Sequence, residues 1–170
     1  MKCLIKTERL FIRLAEPEDA EDIFSYRSDF AENQFQGWFP DSVEEVRDYI
    51  SNMPGTMDIA NICFQVAIVL VDENRLIGDM RISFTNHNNM QAEIGCTLHK
   101  DYQKKGYATE ALKAMVDYLF GTLDKHRIIA SVDPRNTASI PHTGCRTDLC
   151  VYGLVVESVF LYASLSFTFC

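Results

Sequence analysis

The segment Gln103-Lys104-Lys105-Gly106-Tyr107-Ala108-Thr109 has the residue types of an anion grip. A glycine lets the backbone come close to a ligand, small Ala108 leaves room beside it, and the N–H groups that open a helix have no acceptor within that helix. Aligned peptide dipoles add positive character at the same end, which favours an anion such as a diphosphate. Lys104 and Lys105 bring charge of the right sign. Short glycine-containing loops before helices also occur as plain solvated connections, so the loop alone leaves both readings open.

That positive spot stands out because the chain as a whole is acidic. Its 170 residues carry 16 Lys and Arg against 24 Asp and Glu, a formal net charge of −8. An acidic surface repels phosphate backbones, so a nucleic-acid partner is not expected. With 47% hydrophobic residues the chain can build a core, and 8 glycines and 5 prolines exclude fibrous or low-complexity classes. Six cysteines and four histidines show no CxxC pair and no metal-ligand spacing, so no metal is expected and the thiols read as core fillers. The first residues lack the unbroken apolar run of an export signal, which points to a cytoplasmic location.

The loop needs elements to hold it. Leu10, Ile12 and Leu14 alternate with Phe11 and Arg13, as in a strand with one buried face. Pro17, Glu18 and Asp19 suit the first turn of a helix over about 17–28. Ser42-Val43-Glu44-Glu45 matches a capping box, with Val43, Val46, Ile50 and Met53 as one apolar stripe of a helix that stops near Pro54-Gly55. The run from Ile62 to Val71 suits a central strand covered on both faces, and Asp72-Glu73-Asn74-Arg75 turns it into a hairpin with Leu76 to Phe84. Gln91 to His99 is a further strand, with Glu93, Gly95 and Thr97 on one face and Ile94, Cys96 and Leu98 on the other. Ala108, Leu112, Met115 and Leu119 mark an amphipathic helix, and Arg127 to Val132 one more strand.

In that context the segment from Glu93 to Tyr102 followed by QKKGYATEAL resembles the acyl-CoA-binding motif of the GNAT superfamily of N-acyltransferases, Gln/Arg-x-x-Gly-x-Gly/Ala. The opening Thr7-Glu8-Arg9-Leu10-Phe11-Ile12-Arg13 and the stretch Ser131-Val132-Asp133-Pro134-Arg135-Asn136-Thr137-Ala138-Ser139 resemble its ribosomal-protein N-terminal acetyltransferase (RimJ/RimL-like) branch. The resemblance covers about residues 4–140 and implies an α/β (α+β) fold: a mixed, mostly antiparallel central sheet flanked by helices. It implies acetyl-CoA as co-substrate and a primary amine as acceptor, either a small molecule or a peptide. A homodimer is left open, and a membrane is disfavoured.

Carried over by position, the resemblance gives backbone amides from Gln103 to Thr109 to the coenzyme diphosphate: Gln103, Lys104, Lys105, Gly106, Tyr107, Ala108 and Thr109. The edge at Cys96, Thr97 and Leu98 would bond the pantetheine arm like an added strand, beside a gap that opens toward the strand at 127–132. Asn136 matches a contact to the coenzyme arm, and Ser139 a hydroxyl that protonates the departing thiolate. A base must remove a proton from the amine, and a donor must stabilise the oxyanion. Glu93 is the candidate base, since its face would lie near the thioester and partial burial would raise its pKa. A cross-strand pair is the competing role for it. The amide of Cys96 or Thr97 is the candidate oxyanion donor, while the Cys96 thiol reads as packed rather than nucleophilic. Trp38, with Phe35, Gln36 and Phe39, would be an aromatic lid over the acceptor or a small satellite core. Asp41, Glu44, Glu45 and Asp48 could attract a cationic amine or simply solvate a helix.

The chain divides into a domain at 1–140 and an atypical apolar tail at 141–170, whose only charges are Arg146, Asp148 and Glu157. Relatives of this kind continue after the position of Ile140 into a helix, often with a Leu-Gly-Phe ending, and then two strands. Here Pro141-His142-Thr143-Gly144-Cys145 disfavours that helix. Three accounts compete for Leu149 to Cys170: two short strands at about 150–156 and 159–169, a membrane-associated tail, or out-of-frame translation. The abrupt change of composition favours the last as origin and the strands as structure, and Glu157 near the centre opposes a membrane span.

Overall fold

The computed structural model describes residues 3–33, 36–85, 89–130 and 154–157. In chain order these form β1 (Cys3–Lys6), β2 (Leu10–Leu14), a 3-10 turn (Pro17–Asp19), α1 (Ala20–Arg27), α2 (Phe30–Asn33), α3 (Val43–Ser51), β3 (Cys63–Leu70), β4 (Leu76–Thr85), β5 (Gln91–Leu98), a second 3-10 turn (Lys100–Tyr102), α4 (Tyr107–Gly121), β6 (Arg127–Ala130) and β7 (Leu154–Glu157). The strands make a seven-stranded sheet in sequence order, antiparallel at every junction except the parallel pair β5 and β6. The expected mixed, mostly antiparallel sheet is what the chain builds.

Burial follows the alternation of residue types. On one face Leu10, Ile12, Phe64, Val66, Ile82 and Phe84 pack under Ala111, Leu112, Met115 and Leu119 of α4. On the other, Ala67 and Val69 pack against Ile23 of α1 and Val46 and Ile50 of α3. The expectation for β3 therefore holds, with Phe64 to Leu70 all buried. The expectation of a single buried face for β2 does not. Arg13 is buried as well, because its guanidinium forms a two-point pair with Asp19 at 2.6 and 2.7 Å beneath the 3-10 turn. Asp19 thus supports an arginine as well as the start of a helix.

Helix ends show how local chemistry is divided between neighbours. Ser42 caps α3 by accepting from the Glu45 N–H at 3.1 Å. The reciprocal bond of the expected capping box shifts by one residue, since Glu45 Oε2 accepts from the Asp41 N–H at 2.7 Å. The helix ends at Ser51, ahead of Pro54. Strand β1 and the short α2 were not signalled by periodicity, being only four residues each. From the tail, Leu154–Glu157 is a strand paired with β6, in line with the first of the two strands expected there; the second falls outside the described residues. Among the described residues no helix is long and apolar enough to cross a membrane.

One glycine fixes the approach of β4 to β5. A Cβ on Gly78 would meet Thr97 O at 2.4 Å and Leu98 Cα at 3.0 Å, both main-chain atoms that cannot swing aside. Gly78→Ala is expected to lower stability by about 1–3 kcal/mol through forced strand displacement, read as a lower urea midpoint.

Candidate functional site

The loop before α4 takes the backbone that its residue types allow. Lys104 and Gly106 both adopt left-handed backbone, with φ of 59° and 81°, and Gly106 is the residue before α4. Glycine takes that conformation without penalty, whereas Lys104 needs support from its surroundings. Among the described residues, the N–H groups from Lys104 to Ala108 have no protein acceptor. Left-handed residues at Lys104 and Gly106 give the sharp turns in which successive N–H groups can line a concave anion site. Gln103 departs from the expectation: its N–H goes to Lys100 O at 3.2 Å and its side chain donates to Leu98 O at 3.1 Å. It therefore ties the loop to the end of β5. Ala108 is buried in the core, and Lys104, Lys105 and Gly106 are exposed.

Beside the loop, β5 runs parallel to β6, whose described residues are Arg127–Ala130. The parallel ladder pairs Gln91 with Arg127, Ala92 with Ile128 and Glu93 with Ile129. From Ile94 to Leu98 the strand has no β6 partner among the described residues. Main-chain groups alternate in direction along a strand. Thr97 O lies toward Gly78 of β4, whereas Leu98 O faces away and receives Gln103, so Cys96 and Leu98 present their main chain on the side away from β4. Thr97 corrects the expectation: its main chain faces β4, and its buried hydroxyl accepts from Arg27 Nη2 at 3.2 Å.

Arg27 belongs to a buried polar cluster beneath the end of β5. Asp79, fully buried, accepts from Arg27 Nε at 3.0 Å, Arg27 Nη2 at 2.5 Å, the Tyr26 hydroxyl at 2.7 Å and Gln65 Nε2. Burial, reinforced by the Asp79 charge, keeps the Tyr26 hydroxyl protonated and donating. Trp38 lies over the Arg27 guanidinium at 5.2 Å and beside Tyr49 at 5.1 Å. Trp38 is thus part of the packing over this cluster; Phe35 falls outside the described residues. A polar signal for the cluster exists in the sequence, since Gln65 interrupts an otherwise apolar strand and Asp79 sits in the buried first half of β4.

Glu93 sits opposite Ser83, on the face shared with Arg81. It is exposed, not partly buried as expected, because none of the described helices covers the sheet there. Arg81 donates to Cys63 Sγ at 2.8 Å; that bond and, more weakly, the Glu93 charge hold the guanidinium protonated. Burial, with the Asp79 charge, pushes the Cys96 thiol well up, so a packed thiol is the right reading. His99 caps the 3-10 turn by accepting from the Asp101 N–H at 3.2 Å. No group of three or more potential metal ligands occurs among the described residues. Asn136 and Ser139 lie outside the described residues.

Comparison with known proteins adds to this geometry. The profile of the "Acetyltransferase (GNAT) domain" matches residues 9–141. The chain belongs to the GNAT family of N-acetyltransferases. It is 33% identical over 135 residues to "Uncharacterized N-acetyltransferase p20" of Bacillus licheniformis, covering 79% of this chain and 75% of that protein. A crystal structure of a GNAT-family acetyltransferase from Bacillus anthracis superposes with a TM-score of 0.68 at 32% identity, covering 78% of this chain and 75% of that one. The "[Ribosomal protein uS5]-alanine N-acetyltransferase" of Escherichia coli is 30% identical over 149 residues, covering 81% of this chain and 74% of that protein.

This GNAT domain places two further cations at the loop that local pattern did not single out. Arg9, from the turn after β1, stacks on Tyr107 at 4.5 Å. Arg75, from the β3–β4 turn, lies 5.7 Å from the Tyr102 ring, which Lys105 also approaches at 5.4 Å. Three cations from three chain segments, Arg9, Arg75 and Lys105, thus meet around two tyrosines in an acidic protein. Opposite them, Glu110 in the first turn of α4 accepts from the Thr7 hydroxyl at 2.6 Å, the Arg9 N–H at 3.1 Å and Arg9 Nε at 2.6 Å. Burial pushes its carboxyl up, but these bonds from Thr7 and Arg9 outweigh it and leave the pKa below the usual carboxylate range.

Two outcomes are expected. Asp79→Ala strands a buried guanidinium and lowers stability by about 3–5 kcal/mol, measured by chemical denaturation. A depressed carboxylate contributes stability that is present above its unfolded pKa and lost as pH falls through the folded one. Glu110→Gln is therefore expected to lower the melting temperature near neutrality, and the difference from the unaltered protein should close as pH drops below about 4.

Proposed function

We propose that this GNAT domain transfers an acetyl group from acetyl-CoA to a primary amine by direct attack within a ternary complex. The observation that carries the reading is the set of N–H groups from Lys104 to Ala108 that have no acceptor among the described residues, next to the end of β5. The residues fit the co-substrate. The nest and its cations suit a diphosphate, and the main chain of Cys96 and Leu98 suits the amide-bearing pantetheine arm, taken up as an added strand.

The bound thioester supplies an activated acyl carbon. Around it the chain provides three functions. The Cys96 N–H, on the side of β5 away from β4, is the oxyanion donor. Glu93, exposed at the last described pair of the β5–β6 ladder, takes the proton from the amine directly or through water. Following the resemblance, Asn136 contacts the coenzyme arm and Ser139 protonates the departing thiolate. The acceptor is a protein N-terminus or a small amine, with the former supported by the similarity to the ribosomal-protein enzyme of Escherichia coli. The acidic residues Asp41, Glu44, Glu45 and Asp48, all exposed, would draw a cationic acceptor toward α3. This chemistry belongs in the cytoplasm.

A second reading rests on the departure of the sequence after Ile140: a coenzyme-binding module without catalysis. Isothermal titration with acetyl-CoA should give saturable heat; none would remove both readings. Thiol release across a panel of N-terminal peptides, polyamines and aminoglycosides separates them, since the module binds coenzyme and releases nothing. In the enzyme, Glu93→Gln is expected to reduce turnover by about 10²–10⁴-fold without a matching loss of coenzyme affinity.

A further inference from the structure

A diphosphate nest works only if its N–H groups point at the ligand, and a peptide unit in a loop can turn either way. The unit joining Lys105 to Gly106 enters left-handed Gly106, two residues after left-handed Lys104, in a loop where strand or helix neighbours impose no orientation. It is held from outside. Arg9 Nη1 donates to Lys105 O at 3.2 Å. In a trans peptide the C=O and N–H of one unit point in opposite directions. Anchoring Lys105 O on the Arg9 side therefore directs the Gly106 N–H to the opposite side, where no protein acceptor among the described residues receives it.

The arginine has little freedom to let go. Its Nε and Nη2 both donate to Glu110 Oε2 at 2.6 Å, its own main-chain N–H donates to Glu110 Oε1, and its guanidinium lies 4.5 Å from the Tyr107 ring centroid. Thr7 holds the same carboxylate. A planar fork can satisfy a carboxylate and a carbonyl together, whereas a lysine ammonium is a single point charge.

We infer that Arg9 is a positioning residue for coenzyme binding: by holding Lys105 O against the Glu110 carboxylate it aims the Gly106 N–H at the diphosphate. This rests on the diphosphate reading of the loop proposed above. Thr7 and Arg9 lie 103 and 101 residues from Glu110 in sequence, so the β1–β2 turn carries part of the coenzyme site without touching the acyl group.

The test uses the full chain, with coenzyme A and pantetheine as probes, the latter lacking the diphosphate. Affinities come from titrations followed by ¹H–¹⁵N spectra, and the Gly106 amide resonance reports its own hydrogen bond. In the unaltered protein coenzyme A binds more tightly than pantetheine and moves the Gly106 amide downfield. Arg9→Met is expected to weaken coenzyme A about tenfold, to change pantetheine by less than about twofold, and to abolish the Gly106 shift. Arg9→Lys should behave like Arg9→Met. Glu110→Gln, which keeps the shape and loosens the arginine, should show the same selective loss to a smaller degree. Coenzyme A affinity in Arg9→Met within about twofold of the unaltered protein, or equal losses for both probes, overturns the inference and leaves Arg9 a structural tie. Equal binding of the two probes to the unaltered protein instead overturns the diphosphate reading, and the inference with it.

Discussion

Backbone N–H groups without acceptors are costly inside a protein and cheap only in water or against a ligand, so a loop that keeps several of them in a row has to be shaped by something other than its own hydrogen bonds. In this chain the shaping comes from around the loop. Gln103 fastens it to the end of β5, Ala108 sinks its helical side into the core, and Arg9 fastens the carbonyl in its middle. The left-handed turn at Lys104 is tolerable because those neighbours over-determine it. The rest of the site follows from this arrangement, since the same α4 that offers its N-terminus also packs the sheet face behind β5.

Charge is arranged on the same principle of local balance. The formal net charge of −8 says little about the loop, because exposed charges more than about 10 Å apart are largely screened at ordinary salt. What an anion would meet there is Arg9, Arg75, Lys104 and Lys105. Other arginines serve the interior instead. Arg13 and Arg27 are buried against Asp19 and Asp79, and each pair has further hydrogen bonds on its carboxylate. Those clusters hold the first helical segments to the sheet, and Arg27 reaches Thr97 directly under the end of β5. A packed polar cluster of this kind has one satisfied geometry, which makes the end of β5 a fixed feature of the fold.

How much could be read in advance depended on the range of the interaction. Strands β2 to β6 and helices α1, α3 and α4 were legible because burial imposes period 2 or 3.6 over many residues. The four-residue β1 and α2 are too short to carry a period. The loop at Gln103 to Thr109 was legible because one glycine, one small residue and a helix start make a local signature. Glu93 was placed on the right face, but its exposure was not legible, because that depends on where α1 and α3 stop covering the sheet. Thr97 looked equivalent to Cys96 and Leu98, and only the pairing of β5 with β4 turned its main chain away.

The amino-acid sequence by itself determined most element types, the α/β class, the family and the glycine-containing loop before α4, all of which depend on neighbours a few residues apart. Only the tertiary structure decided that Arg9 meets Lys105 and Glu110, that Asp79 gathers Tyr26, Arg27 and Gln65, and that Thr97 turns its main chain to β4. The reason is geometric. Those contacts join residues with no fixed spacing along the chain, and hydrogen-bond partners far apart in sequence are chosen by how the sheet and helices pack, which no local period encodes.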